Sequence, residues 1–236
     1  MAKTQRQSAA ALRRAGSAPG PETGSKPAVP SRNAGRRGRP KRGMSRRDVI
    51  LRAALEEFSA HGFEAARLDD VARRAGIAKG TIYLYFRDKE ALFLELVRAE
   101  MAPVVGALEQ VAHVEAPIQM IAEQFIELFV REVVETHRKD VMRLVLSEGP
   151  RFPRLAAFYY REVLSRALTA VRRLLQRAAA RGEIGNEALL RFPQLIAAPA
   201  VVAILWRALF ERFEPLDVRA MLRAHFDLIF GGKERP

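Results

Sequence analysis

Between Ser45 and Phe93 the chain reads SRRDVILRAALEEFSAHGFEAARLDDVARRAGIAKGTIYLYFRDKEALF, and this stretch decides the fold. Its apolar residues recur at the three- and four-residue spacing of amphipathic helices. Gly62 and Gly76 interrupt the pattern where the backbone can turn with a positive φ. The stretch therefore predicts three short helices in succession.

The first two helices are predicted from the residues at their ends. Ser45 can accept a hydrogen bond from a free N–H of the first turn, and Asp48 can return one to the start of the helix. The second helix is predicted from Leu68 to Ala75, with acidic residues at its positive end and arginines at its negative end. Only a few residues separate it from the third helix, which predicts a helix-turn-helix.

The third helix has the composition of a DNA-recognition element. Ile82 and Phe86 can face the core, which leaves the other side chains outside. Lysine, glycine and hydroxyl groups suit base edges, close backbone approach and phosphate oxygens. Each tyrosine alone is equally consistent with an ordinary amphipathic surface. The candidate DNA-binding residues are Lys79, Gly80, Thr81, Tyr83 and Tyr85, with Lys89 at the start of the next helix.

These motifs resemble the N-terminal DNA-binding domain of TetR-type transcriptional regulators over roughly residues 45–93. The resemblance implies a bacterial, all-helical homodimer whose C-terminal domain senses a small molecule and usually releases DNA when occupied. It also places the six candidates above at positions that commonly touch DNA. The matching motifs are Gly62-Phe63, Asp70-Val71-Ala72, Ala75-Gly76-Ile77, Lys79-Gly80-Thr81-Ile82-Tyr83, Tyr85-Phe86 and Lys89-Glu90.

Two positions depart from the family pattern. Ala66-Arg67 stands where the family usually has a hydroxyl cap before the second helix, and Ala78 stands where it often has serine before the third. Arg67 is a candidate for a phosphate contact. The alternative is a solvated side chain beside Asp69 and Asp70.

Composition favours an anionic partner and offers no catalytic or metal chemistry. The chain of 236 residues is 49% hydrophobic, has no cysteine and carries a net charge of +13. Its four histidines show no ligand spacing, and no nucleophile–base pattern or phosphate loop stands out. We therefore expect neither an enzyme nor a metal site nor a cofactor.

The basic charge is concentrated in the N-terminal arm, residues 1–43, which we expect to be disordered. Residues 1–45 hold eleven lysines and arginines against the single acid Glu22. Residues 35–42 resemble an AT-hook, in which Arg37, Gly38 and Arg39 would enter the minor groove of A·T-rich DNA. A nonspecific polybasic arm is the alternative. A transit peptide is disfavoured, and a cytoplasmic protein is expected.

After the N-terminal arm, the sequence predicts an all-α fold made of two domains and a short tail. A helix-turn-helix domain is expected at 44–90, a helical ligand-binding and dimerisation domain at 91–231, and a tail at 232–236. Proline and glycine breaks divide the second domain into five or six helices. Their predicted spans are 89–111, 117–135, 138–147, 154–181, 187–211 and 216–230, with Pro103 and Pro193 as possible extra breaks.

A homodimer is predicted through about 187–230. Leu195 to Trp206 contains no polar side chain, but this run is too short to span a membrane. We expect it to pack against its own domain and a second copy, although a core helix of one monomer is the alternative. A two-fold dimer predicts a palindromic or near-palindromic operator in double-stranded DNA.

The effector is the least defined part of the prediction. Aromatic and apolar residues of the C-terminal domain can line a pocket for a small apolar or aromatic molecule, or can be ordinary core. Gln124, His137 and Arg143 could supply polar groups. The expected function is a ligand-released repressor, with a ligand-independent nucleoid or architectural protein as the alternative. The pocket candidates are Met120, Phe125, Phe129, Phe152, Phe158, Tyr159, Tyr160 and Trp206.

Overall fold

The computed structural model describes residues 44–231, which form eleven α-helices and no strand. Within this range no helix is long and apolar enough to cross a membrane. The predicted all-α class is confirmed. The helices are α1 Arg46–Ala65, α2 Leu68–Arg74, α3 Lys79–Ile82, α4 Lys89–His113, α5 Ile118–Phe129, α6 Arg138–Glu148, α7 Pro153–Tyr159, α8 Ser165–Ala180, α9 Ala188–Arg191, α10 Gln194–Leu209 and α11 Val218–Phe230.

Helix α1 begins as its sequence predicts. The Ser45 hydroxyl accepts from the Asp48 N–H at 3.1 Å, and the Asp48 carboxylate accepts from the Ser45 N–H at 3.0 Å. Near the other end Gly62 has φ 74° and ψ 173°, so it breaks the helical path with an extended rather than left-handed helical ψ. The last residues of α1 therefore run in a new direction, toward α6 and α7.

One hydrophobic core joins the first three helices to α4, α6 and α7. Phe93 of α4 packs edge-on against Phe58 of α1, with ring centroids 4.9 Å apart. Phe63 meets Phe152, just before α7, at 4.6 Å. The apolar contacts thus run without a gap from the helix-turn-helix across residue 90 into the following helices.

The C-terminal helices follow the predicted spans, with three local differences. A π-helical turn, Val130–Val134, extends α5, and a second one, Tyr160–Leu164, joins α7 to α8. Pro193 separates α9 from α10, whereas Pro103 lies inside α4 without ending it. Pro199 lies inside α10 and is buried.

Helices α4, α5, α8, α10 and α11 pack into a bundle with its own apolar clusters. Two arginines of α11 reach glutamates of α5: Arg219 lies 3.2 Å from Glu127, and Arg223 lies 3.0 Å from Glu123. Both pairs are exposed, so they add little stability.

Candidate DNA-binding surface and effector cavity

The turn between α2 and α3 is held by backbone geometry, not by side-chain caps. Gly76 has φ 65°, and the Ile77 N–H donates to the Ala72 carbonyl at 3.0 Å. Arg67 and Ala78 cap α2 and α3 without any side-chain hydrogen bond. The missing hydroxyl caps are therefore real features of this chain.

Two buried side chains anchor the recognition helix and turn its other residues outward. Ile82 is fully buried and Phe86 nearly so. Tyr83 and Tyr85 are 49% and 43% exposed. Lys79 and Gly80 are also exposed, while Thr81 is half-buried. Five of the predicted DNA-binding residues therefore lie together on α3 and the turn that follows it.

Lys79 is paired inside the protein. Its ammonium donates to the Asp69 carboxylate at 2.8 Å, and this contact raises the pKa of Lys79. Both side chains are well exposed, so the pair can open at little cost. A phosphate or base that binds Lys79 must therefore compete with Asp69.

Lys89 is engaged more deeply than Lys79. Its ammonium donates to the carbonyls of Glu64 at 2.6 Å and Ala66 at 3.1 Å, and lies 4.8 Å from the centre of the Phe63 ring. Burial lowers the pKa of Lys89, although Glu64 and Glu148 oppose that shift. In the free protein Lys89 fastens the start of α4 to the end of α1.

Arg67 is exposed, and its guanidinium makes no hydrogen bond or ion pair within residues 44–231. It stands at the start of α2, two residues from Asp69. It is therefore available to a phosphate. The predicted minor-groove residues Arg37, Gly38 and Arg39 lie outside the described residues.

An apolar cavity of about 120 Å³ lies at the centre of the C-terminal bundle. Phe125 and Phe129, two of the pocket candidates, line it, and α4, α5, α8, α10 and α11 all contribute. Among residues 44–231 no polar side chain lines it, so it suits an apolar molecule. The lining comprises Val104, Leu108, Phe125, Ile126, Leu128, Phe129, Leu164, Ala167, Leu168, Val171, Ile196, Ala197, Ala200, Leu222 and Phe226.

The other aromatic and sulfur-containing candidates lie elsewhere. Met120 is exposed on α5, and Phe158 belongs to the core that serves the helix-turn-helix. Tyr159 packs against that same core, and burial raises its pKa to about 12. The Trp206 indole donates to the Glu214 carbonyl at 2.8 Å. Phe152 packs on Phe63, and Tyr160 is exposed.

The three polar candidates also stay outside the cavity. Gln124 is exposed, and His137 lies 2.8 Å from Glu100. Arg143 lines a separate polar groove between α6 and α10. The aliphatic lining residues were missed because their inward helical spacing is the same as that of ordinary core. Within residues 44–231 no cluster of three or more histidine or acidic side chains could hold a metal ion.

Helix α4 belongs to both parts of the molecule. Its first half carries Phe93 and Leu96 of the core below the helix-turn-helix, and its second half carries Val104 and Leu108 of the cavity wall. At 25 residues it is about 37 Å long. One continuous helix therefore connects the cavity wall to the core beneath the helix-turn-helix.

Comparison with known proteins matches both halves of the chain. Residues 50–96 match the family model described as bacterial regulatory proteins, tetR family. Residues 122–226 match the model described as tetracyclin repressor-like, C-terminal domain. The two models together cover the helix-turn-helix and most of the bundle.

Individual relatives agree with these models. The uncharacterized HTH-type transcriptional regulator YdgC of Bacillus subtilis is 41% identical over 56 residues, 24% of this chain and 29% of YdgC. The HTH-type transcriptional regulator RutR of Escherichia coli is 30% identical over 123 residues, 52% of this chain and 50% of RutR. The chain thus spans no more than half the length of either relative.

The fold is shared with a solved transcriptional regulator. The structure of FadR from Bacillus subtilis in complex with stearoyl-CoA matches with a TM-score of 0.63 and 21% identity, covering 79% of this chain and 99% of FadR. At 21% identity this similarity shows a shared fold and no more.

Proposed function

Because the chain belongs to the TetR family of bacterial regulatory proteins, we propose that it is a sequence-specific DNA-binding transcriptional regulator. It acts as a repressor that a small apolar molecule releases from its operator. The observation that carries this proposal is the connection, by α4, of an exposed recognition helix to an all-apolar cavity.

The recognition helix enters the major groove in this proposal. Lys79 and Thr81 face base edges or phosphates near its start, and Gly80 lets the backbone approach the duplex. The hydroxyls of Tyr83 and Tyr85 donate to phosphate oxygens, and Arg67 adds a phosphate contact at the start of α2. Arg37, Gly38 and Arg39 extend the contact into the minor groove.

A second copy completes the DNA-binding unit. Helix α10 leaves Leu195, Val202, Leu205 and Leu209 exposed at intervals of seven, three and four residues, which is the stripe of a helix that packs on a partner. Pairing of this stripe within the predicted dimer segment, 187–230, sets two recognition helices about 34–36 Å apart. The operator is then palindromic or nearly so, and the protein acts in the cytoplasm, where bacterial operators lie.

The effector must enlarge the cavity that it occupies. Pockets for small molecules usually measure about 300–1,000 Å³, well above the 120 Å³ of this cavity. An apolar effector would separate α4 from α8 and favour a form in which the recognition helices no longer fit the operator. FadR was solved with stearoyl-CoA, so acyl chains are the first class to test, ahead of aromatic compounds.

The experiment selects operator fragments from genomic DNA and measures binding under excess unrelated DNA. A regulator keeps its operator, whereas the alternative, a ligand-independent architectural protein, loses it to the competitor. Acyl and aromatic compounds are then screened for raised melting temperature and operator release. Loss of all sequence preference would overturn the proposal.

Two matched variants test whether the effector binds in this cavity. Ala167 lines the cavity on α8, whereas Ala102 is exposed on α4. Ala167→Phe should abolish effector-induced stabilisation and release while operator binding remains, because the new ring occupies the cavity. Ala102→Phe should respond like the unmodified protein. Effector release that survives Ala167→Phe would contradict the cavity assignment.

A further inference from the structure

Leu84 is the large apolar residue that the recognition element leaves in solvent. It is 83% exposed, between Tyr83 and Tyr85. It belongs to none of the hydrophobic clusters formed by residues 44–231. A single exposed leucine is common on protein surfaces, so its position must carry the argument.

Leu84 lies in the turn that follows α3, where the backbone still makes helix-like hydrogen bonds. Its N–H donates to the Thr81 carbonyl at 3.2 Å, and the Phe86 N–H donates to the Ile82 carbonyl at 2.9 Å. Successive helical residues are rotated by about 100°, so Leu84 lies about 200° from each of the buried residues Ile82 and Phe86. Leu84 therefore points directly away from the core.

Leu84 also has open space beside it. Gly80 lies one turn earlier on the same outward face, and nothing beyond its chain neighbours and its own helix backbone stands within 4 Å of the position that a Cβ would take there. Lys79 and Tyr83 flank one side of this face, and Thr81 and Tyr85 flank the other. The polar groups thus surround an apolar centre formed by Leu84 and the notch at Gly80.

We propose that Leu84 determines sequence specificity by packing on a thymine methyl group in the major groove. The inference rests on the proposed function, since it needs the recognition helix in that groove. The thymine C5-methyl is the apolar group that base edges present there. A leucine cannot satisfy a hydrogen-bonding base edge, so its burial against any other base would leave polar groups unpaired.

The test replaces thymidine with deoxyuridine, which lacks only that methyl group, at each operator position in turn. One position per half-site should weaken binding by the unmodified protein about fourfold per methyl. In Leu84→Ala the same replacement should have no effect, although the variant still binds the operator. Leu84→Met keeps an apolar reach and should keep most of the methyl dependence.

Leu146→Ala, an exposed leucine on α6, is the matched control and should retain the full methyl dependence. Equal methyl dependence in Leu84→Ala and the unmodified protein would overturn the inference, as would the absence of any methyl-dependent position. Both results leave sequence-specific binding intact. Failure of the proposed function itself is distinguishable, because the unmodified protein would then show no preferred operator.

Discussion

At the scale of single residues, Lys79 and Lys89 show how neighbours assign different roles to one side-chain type. Lys79 is exposed and pairs with a single carboxylate, that of Asp69. Lys89 donates to two backbone carbonyls and lies over an aromatic ring. The ion pair of Lys79 can open at little cost, whereas the contacts of Lys89 hold the start of α4 against the end of α1.

Asp69→Asn should raise operator affinity by up to about fivefold, because Lys79 no longer leaves an ion pair when it meets DNA. Filter binding or fluorescence anisotropy at constant salt measures the change. Asp70→Asn is the control for charge, since Asp70 pairs with Arg73 instead. Equal gains in both variants would mean that general electrostatics, not release of Lys79, causes the effect.

Lys89→Met should lower the free energy of unfolding by about 1 kcal/mol, since the carbonyls of Glu64 and Ala66 lose their donor. The salt dependence of operator binding should stay unchanged. Lys79→Met should do the reverse, leaving stability intact and lowering the salt slope by about one. The sequence-based prediction that Lys89 touches DNA gains support only if Lys89→Met also lowers that slope.

At the scale of elements, the joint between α1 and α6 depends on Gly62. The Phe63 N–H donates to the Glu148 carboxylate of α6 at 3.3 Å. A Cβ at position 62 would stand 3.0 Å from that same carboxylate oxygen. The glycine therefore provides both the backbone conformation and the room for the joint.

Gly62→Ala should lower the free energy of unfolding by about 1–3 kcal/mol, because φ 74° with an extended ψ strongly favours glycine. Gly106→Ala, in the middle of α4 with no atom near its Cβ, should raise stability by about 0.5–1 kcal/mol. Chemical denaturation measures both. A Gly62→Ala variant as stable as Gly106→Ala would show that the joint relaxes without cost.

At the scale of the whole molecule, the exposed stripe of α10 remains without a partner in a single chain. Its residues are apolar over four helical turns, more than scattered surface leucines explain. The small residues between them, such as Ala198, permit a close approach. Ala197 and Ala200 of the same helix line the cavity, so we propose that pairing of two copies and filling of the cavity affect each other through α10.

Val202→Glu should convert the dimer to a monomer, because a carboxylate would be buried in the centre of the interface. Operator affinity should fall by about a hundredfold, since one molecule then no longer holds both half-sites. Light scattering and operator titration measure the two effects. Leu146→Glu, on α6, is the control, and an unmodified protein that is already monomeric would contradict the model.

How much the sequence predicts can be judged from particular residues. The capping pair Ser45–Asp48, the inward positions Ile82 and Phe86 and the spans of the long helices all follow from local spacing. The cavity does not, because Phe125 and Phe158 have the same chemistry and similar helical spacing. Only packing decides that the first faces an apolar cavity and the second the core beneath the helix-turn-helix.

By itself the sequence determined the helices, the helix-turn-helix and the family, because caps, glycines and apolar periodicity act over a few neighbouring residues. The tertiary structure decided which side chains are free to act. Asp69 holds Lys79, two carbonyls hold Lys89, and Leu84 stands alone in solvent. Each outcome depends on tertiary contacts that form only when the chain folds, and the local spacing of residues does not predict those contacts.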